Sequence, residues 1–295
     1  MLVYTCIENL KHYPPIFMAL GTFDGVHIGH QQIILKTVAR AKAAKALSAV
    51  FTFSNHPLSI IDPGRCPSLL ITNNEKIQYL QSLGVDLIVN IPFTCELLNQ
   101  TPEEFIQLLT GSFNLQHVVV GGNFTYGFRC GGRPDDLRVA GGKYNFSVDI
   151  CQLVDIDGIH VSSTRIRQLI AGGRVGEAAS LLNRPFTVSG KMLKSNLRNR
   201  KFRFLRAGVA IPNRLIIPAE GVYVVKAKHC GNSYRGVANI GNNLASVRQQ
   251  SRVELLLDCL DDDLYYQDIK VEFVARLRGK GNIKASAMSW CFRYT

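Results

Sequence analysis

The stretch GTFDGVHIGH, Gly21 to His30, places two histidines three residues apart with Gly29 between them, just after an apolar run and just before an amphipathic one. Imidazoles about one helical turn apart face the same ligand, and both donate hydrogen bonds to the oxygens of a phosphate. Gly21, Gly25 and Gly29 let the backbone approach a bulky anion closely. Where such a stretch joins a strand to a helix, the free N–H groups and the positive dipole end of the helix attract phosphate too. The expected chemistry is a phosphate clamp made by His27 and His30. A metal site accounts less well for these residues. No third His or Cys stands nearby, Asp24 would assist a magnesium ion only indirectly, and no metal ligand is assigned.

Positioning such a clamp requires a strand before it and a helix after it. IFMAL, Ile16 to Leu20, is a short buried apolar run, and the following segment repeats apolar residues at Ile33, Ile34, Val38, Ala41 and Ala44 with helical spacing. AVFTF then reads as a strand, NNEKIQYLQSLG as a helix stopped by Gly84, and VDLIVNI as another strand. TPEEF is a helix start with Thr101 as N-cap, Pro102 in the first turn and Glu104 closing a capping box, and HVVVGG is a further strand. The alternation predicts an α/β domain, a doubly wound parallel sheet with helices on both faces over residues 1–185. In that fold the ligand sits beyond the carboxyl ends of the strands, where the opening stretch falls. From Phe186 the segments FTVSGKML, GVYVVKAK, YRGVANIG, SRVELLLDC and IKVEFVARLR are strand-like, with only a weak helical segment at the C-terminus. Residues 186–295 are therefore expected to form a small antiparallel β-barrel.

At 295 residues, with 46% hydrophobic residues and no internal repeat, the chain has room for two cores. No run approaches a membrane span and the N-terminus lacks the pattern of a signal peptide, so a cytoplasmic location is expected, with no membrane partner. The eight cysteines are scattered without zinc-site spacing, and reduced, mostly buried thiols are expected. The net charge of +12 is unevenly distributed: 15 basic residues oppose 14 acidic ones over 1–185, but 19 oppose 8 over 186–295. Lys191 to Arg206 holds seven cationic side chains and no acidic one. Such a run fits an anionic ligand or nucleic acid, and equally a solvated barrel rim.

The string G-x-F-D-G-x-H-x-G-H resembles the H-x-G-H nucleotidyltransferases, in particular the bacterial bifunctional riboflavin kinase/FAD synthetases. TFSNHP (Thr52 to Pro57), VVGGNFTYGFRCGG (Val119 to Gly132) and VSSTRIRQLIAGGRVGEAASLLNRPF (Val161 to Phe186) are similar to further motifs of that family. The resemblance implies a Rossmann-like domain that transfers AMP from ATP to FMN with Mg2+, giving FAD and pyrophosphate. It implies ATP and phosphate contacts at Gly21, Phe23, Asp24, Gly29, Ser162, Ser163 and Thr164, and catalytic roles for His27, His30 and Arg167. Physically, the three hydroxyl residues at a predicted helix start offer donors to an anion, and Arg167 at the motif's fixed position brings a permanent charge. Arg165 falls at a variable position, and a plain helix N-cap also accounts for Ser162. Asn123 is placed to hydrogen-bond nucleotide or acceptor phosphate. Phe124 and Tyr126 suit core packing and contact with a flavin ring equally well.

The family's second module is a riboflavin kinase barrel that makes FMN. IPAEGVY, GVANIG, VELLLD and IKVEFVARLR keep its frame, and Glu254 falls where the family carries its catalytic base. The nucleotide loop differs: Ser195, Asn199 and Arg203 stand at three glycine positions, and Leu205, Arg206 and Gly208 replace the Pro, Thr and Asn of P-T-A-N. A later P-T is Leu244 and Ala245. Losing these together removes close backbone approach and the magnesium-positioning hydroxyl and amide. The sequence thus implies an FAD synthetase with a degenerate kinase module. A fully bifunctional enzyme is the alternative, and a basic nucleic-acid or partner-binding module on a nucleotide fold is a second. The sequence leaves a homo-oligomer open.

Overall fold

Parallel strands buried on both faces read as short apolar runs, and the first half of the chain folds on four of them flanked by two more exposed edge strands. The computed structural model describes residues 2–156, 158–194, 204–241, 253–259 and 264–278. β1 (Leu2–Tyr4), β2 (Ile16–Leu20), β3 (Leu47–Phe53), β4 (Leu87–Ile91), β5 (Leu115–Gly121) and β6 (Ser147–Cys151) form one parallel sheet in the order β1-β4-β3-β2-β5-β6. Alternate side chains sort to opposite faces. Met18, Leu20, Phe51 and Val120 pack with Phe105, Leu109 and Leu137, whereas Ala19, Val50 and Val119 pack with Ile33, Ile34 and Leu80. These partners place α1 (Ile28–Ala43) and α3 (Asn73–Ser82) on one face, and α5 (Pro102–Ser112) and α6 (Pro134–Tyr144) on the other. The short helices α2 (Leu58–Ile61) and α4 (Cys95–Asn99) lie in the connections after β3 and β4.

Local signals set these boundaries. Thr101 caps α5: Glu104 N donates to Thr101 Oγ1 at 3.2 Å and Thr101 N to Glu104 Oε2 at 2.7 Å. Thr72 and Glu75 repeat that box on α3. Gly84, at φ +83°, takes the left-handed conformation that stops α3.

The chain divides into two units, Met1–Ser163 and Thr164–Thr295. The first ends with a small hairpin, β7 (Asp155–Ile156) and β8 (Ile159–His160), and with Ser163, which opens α7 (Ser163–Ala171). In the second unit α7 is followed by α8 (Val175–Leu182), which packs on the barrel strands. The strand-rich sequence does begin at Phe186, but the unit around it starts at Thr164 because the helix residues are tied to the barrel. Ala219 N donates to Ile170 O at 3.2 Å, and Arg276 Nη1 to Gly172 O at 3.2 Å.

β9 (Phe186–Lys194), β10 (Leu205–Ala210), β11 (Gly221–His229), β12 (Asn232–Ile240), β13 (Val253–Leu257) and β14 (Asp268–Arg278) close a six-stranded antiparallel barrel in the order β10-β13-β12-β11-β14-β9. Tyr223, Phe186 and Phe273 fill its interior, all at most 2% exposed. The end of the stretch read as a nucleotide loop is a strand, since Leu205 to Val209 pair with β13 and Ala207 to Ala210 with β9. Ser195 to Arg203, Leu244, Ala245 and the expected C-terminal helical segment lie outside the described residues.

One expectation is corrected. Of the seven described cysteines only Cys151 is buried; Cys6, Cys95, Cys130 and Cys230 are exposed, and Cys66 and Cys259 are partly so. Those six sit in turns, in loops or at the ends of short helices, where no apolar stripe requires them inward. Among the described residues no helix is long and apolar enough to cross a membrane.

Candidate active site

The turn between β2 and α1 brings the two histidines together. His27 is the N-cap of α1, and its Nδ1 accepts the His30 N–H at 3.3 Å. An accepting Nδ1 leaves the proton of neutral His27 on Nε2, a donor. The rings of His27 and His30 stack with centroids 3.6 Å apart at 20°, and Phe23 meets His30 edge-on at 5.3 Å. Enough protein surrounds the His30 ring to hold its pKa well below the usual histidine value, and the charges of His27 and Lys76 push the same way. Its Nδ1 is buried without a hydrogen-bond partner.

The turn is strained around this pair. Phe23, Gly25 and Val26 have φ of 51°, 78° and 40°. The space beside its glycines is taken by protein: a Cβ on Gly21 would lie 2.9 Å from the Phe23 ring, one on Gly25 2.7 Å from Leu70 Cδ1, and one on Gly29 3.3 Å from the His27 ring. Their smallness therefore packs the turn and seats His27. Asp24 is buried, and its carboxylate accepts the Leu70 N–H at 3.1 and 3.3 Å, pinning the loop before α3. Its carbonyl accepts Ser163 Oγ at 2.9 Å. Ser163 is thus fixed to the turn. Ser162 precedes it, and Thr164 and Arg167 lie on α7 in the second unit, Thr164 exposed and Arg167 partly so.

Beyond the carboxyl ends of β2, β3 and β5 lies a cavity of about 610 Å³. Chain order reverses between β2 and β5, the place where open α/β sheets bind ligands. His30, Gly21 and Phe23 line one side, and Asn123, Phe124 and Tyr126 line another. Phe124 and Tyr126 stack at 5.8 Å and 17°. Tyr126 is also a core residue, its hydroxyl pushed up to about 12 chiefly by burial. Phe53, Phe93, Leu97 and Phe128 complete an apolar wall that the motifs did not single out. A cavity of this size, aromatic on its walls and edged by a few polar groups, fits a planar ring system with a polar tail.

The FAD synthetase family matches residues 10–165, and the riboflavin kinase family matches residues 182–287. The chain belongs to the riboflavin kinase/FAD synthetase family. It is 34% identical over 271 residues to the bifunctional riboflavin kinase/FMN adenylyltransferase of Bacillus subtilis, covering 89% of this chain and 84% of that protein. The Escherichia coli K12 protein of the same name is 31% identical over 283 residues, with 93% and 88% covered. The crystal structure of a protein named macrolide-efflux protein from Streptococcus pneumoniae matches with TM-score 0.83 at 24% identity, over 99% of this chain and 97% of that one. That likeness is one of fold.

In the barrel, Glu254 on β13 is 2% exposed, and Arg206 Nε on β10 donates to its Oε1 at 2.6 Å. Gly208 stands directly across from Glu254 in the β10–β13 register. The sequence resemblance put Arg206 at the family's threonine position and Glu254 at its base position, and the two form an ion pair. Among the described residues no group of three or more His, Cys, Asp or Glu is arranged to hold a metal ion.

Proposed function

We propose that this enzyme transfers the AMP moiety of ATP to the terminal phosphate of FMN, forming FAD and pyrophosphate, and that its barrel does not phosphorylate riboflavin at a comparable rate. The observation that carries the reading is the stacked His27–His30 pair beside a large aromatic cavity at the sheet's switch point. A phosphate oxygen of FMN attacks the α-phosphorus of ATP in line, and the bond from that phosphorus to the β-phosphate oxygen breaks. Because the attacking group is already an anion, neither a strong base nor a covalent enzyme intermediate is needed. Positioning and charge neutralisation supply the rate. His27, through Nε2–H, and His30 donate to phosphate oxygens as charge moves toward pyrophosphate. Arg167 adds positive charge, a role resting on its motif position. Asn123 and Phe124 orient FMN in the cavity. Magnesium belongs to the substrate as MgATP.

The adenylyl-transfer role is assigned to residues 1–185 and the barrel to residues 186–295, in a cytoplasmic enzyme acting on small molecules. A second reading, riboflavin to FMN to FAD in one chain, is favoured by the relatives' names and by the presence of Glu254. Pure protein incubated with MgATP and either FMN or riboflavin tests both readings by identification of the flavin formed. FAD from FMN with riboflavin unchanged supports the first. Efficient FMN formation from riboflavin that disappears in Glu254→Gln replaces it with the second.

A further inference from the structure

Lys76 carries an ammonium group where the core pattern asks for an apolar side chain. It lies one turn before Leu80 on the inward stripe of α3, and it is 6% exposed. Its Nζ donates to the Phe53 carbonyl at 2.5 Å and to Thr52 Oγ1 at 3.4 Å, both at the carboxyl end of β3. Thr52 Oγ1 in turn donates to the Thr22 carbonyl at 3.0 Å, inside the turn that leads to the histidines. A hydrogen-bonded chain therefore runs from the ammonium to the backbone of that turn.

We propose that Lys76 is a positioning residue of the adenylyl-transfer site, tying the end of β3 to the Gly21–His30 turn and supplying fixed positive charge behind the histidine pair. The proposal rests on the function proposed above. Burial is expensive for an ammonium, and here it brings the pKa from 10.5 down to about 8 against the opposing pull of Asp24. Perturbed buried groups of this kind gather at functional sites. The titratable groups around it are Asp24 and His30 on the β2–α1 segment and His56 after β3, with Glu75 on its own helix committed to Thr72. At neutral pH the charged Lys76 helps keep His30 unprotonated, so that His30 meets phosphate as a neutral donor. Deprotonating Lys76 removes the charge and leaves only a weaker, neutral N–H donor.

The test measures FAD formation from FMN and MgATP between pH 6 and 10 for the full-length protein, Lys76→Arg and Lys76→Met, with FMN affinity read by flavin fluorescence. Wild-type kcat is expected to fall above about pH 8, whereas Lys76→Arg, whose side chain stays charged, carries its rate to higher pH. Lys76→Met is expected to lose kcat by about 10- to 100-fold at pH 7 with KM for FMN unchanged, and its His30 should titrate higher by NMR. An alkaline fall that is the same in Lys76→Arg as in the wild type overturns the proposal, whether or not Lys76→Met folds. So does a folded Lys76→Met with wild-type kcat. A wild-type protein that forms no FAD overturns the functional reading itself, an outcome distinct from either of these.

Discussion

Removing Arg206 tests whether the barrel holds Glu254 as a structural ion rather than as a poised base. The Glu254 carboxylate is 2% exposed and receives Arg206 Nε at 2.6 Å, while the arginine side chain keeps 38% of its surface in water. Breaking a fully buried pair by deleting one partner costs about 3–5 kcal/mol, because the surviving charge stays desolvated. Water at the half-exposed arginine end lowers the cost here, to about 2–3 kcal/mol for Arg206→Ala. Glu254→Gln keeps a hydrogen-bonding group and discards the charge, at about 1 kcal/mol. The double variant Arg206→Met/Glu254→Leu should return to within about 1 kcal/mol of the wild type, since well-packed apolar replacements of buried ion pairs are close to neutral. Thermal unfolding followed by circular dichroism reads all four proteins, and a loss of 2–3 kcal/mol in a unit of this size lowers Tm by roughly 10 °C. An Arg206→Ala protein melting with the wild type would refute the reasoning. A double variant as unstable as the single one would refute it too.

His27→Ala and His30→Ala should each slow FAD formation by about two to three orders of magnitude, since each removes a donor from developing phosphate charge; near-normal turnover in either would sink the clamp. Arg167→Ala should weaken ATP binding and the chemical step without moving the melting curve, and a collapse of stability instead would assign Arg167 to structure. Because the folded protein holds His30 below the ordinary value of 6.5, the unfolded chain takes up a proton there that the folded one refuses. Stability from this group is therefore present above about pH 6.5 and lost as the pH falls, and His30→Asn should flatten the decline of unfolding free energy between pH 7 and pH 5.

Periodicity made the parallel sheet and its two helical faces legible, because runs such as IFMAL and VDLIVNI are buried on both sides and leave no polar alternation. β6 was harder to read: SVDIC is an edge strand, half-exposed, and carries Asp149, which pairs with Lys36 on α1. β10 was hidden for a different reason. Its residues LRAGVA follow a run of cations that reads as a loop, and only pairing with β9 and β13 makes them a strand. At the site, spacing pointed to the histidines, but their stacking depends on Gly29 leaving room for the His27 ring. Lys76 carried a readable signal, a charged residue one turn before Leu80 on an apolar stripe. The aromatic wall carried none, since Phe53, Phe93 and Phe128 come from separate connections that only the sheet brings together.

The two units place different demands on their residues. The proposed adenylyl transfer asks for donors and charge in fixed positions, and in the first unit Asp24, Ser163 and Thr52 hold the Gly21–His30 turn in place. Phosphorylating a hydroxyl asks more, because a base must face the hydroxyl while the γ-phosphate is held within reach. A closed barrel keeps its stability from inward residues such as Tyr223 and Phe273, which are independent of that loop chemistry. On the reading proposed for the barrel, the nucleotide contacts are lost while the fold persists, and Arg206 pairs with the Glu254 carboxylate. On this argument Arg206→Thr alone should not produce a riboflavin kinase, since the resemblance puts Ser195, Asn199 and Arg203 at three of the family's glycine positions. FMN appearing from riboflavin in that single variant would show instead that the ion pair is the whole block.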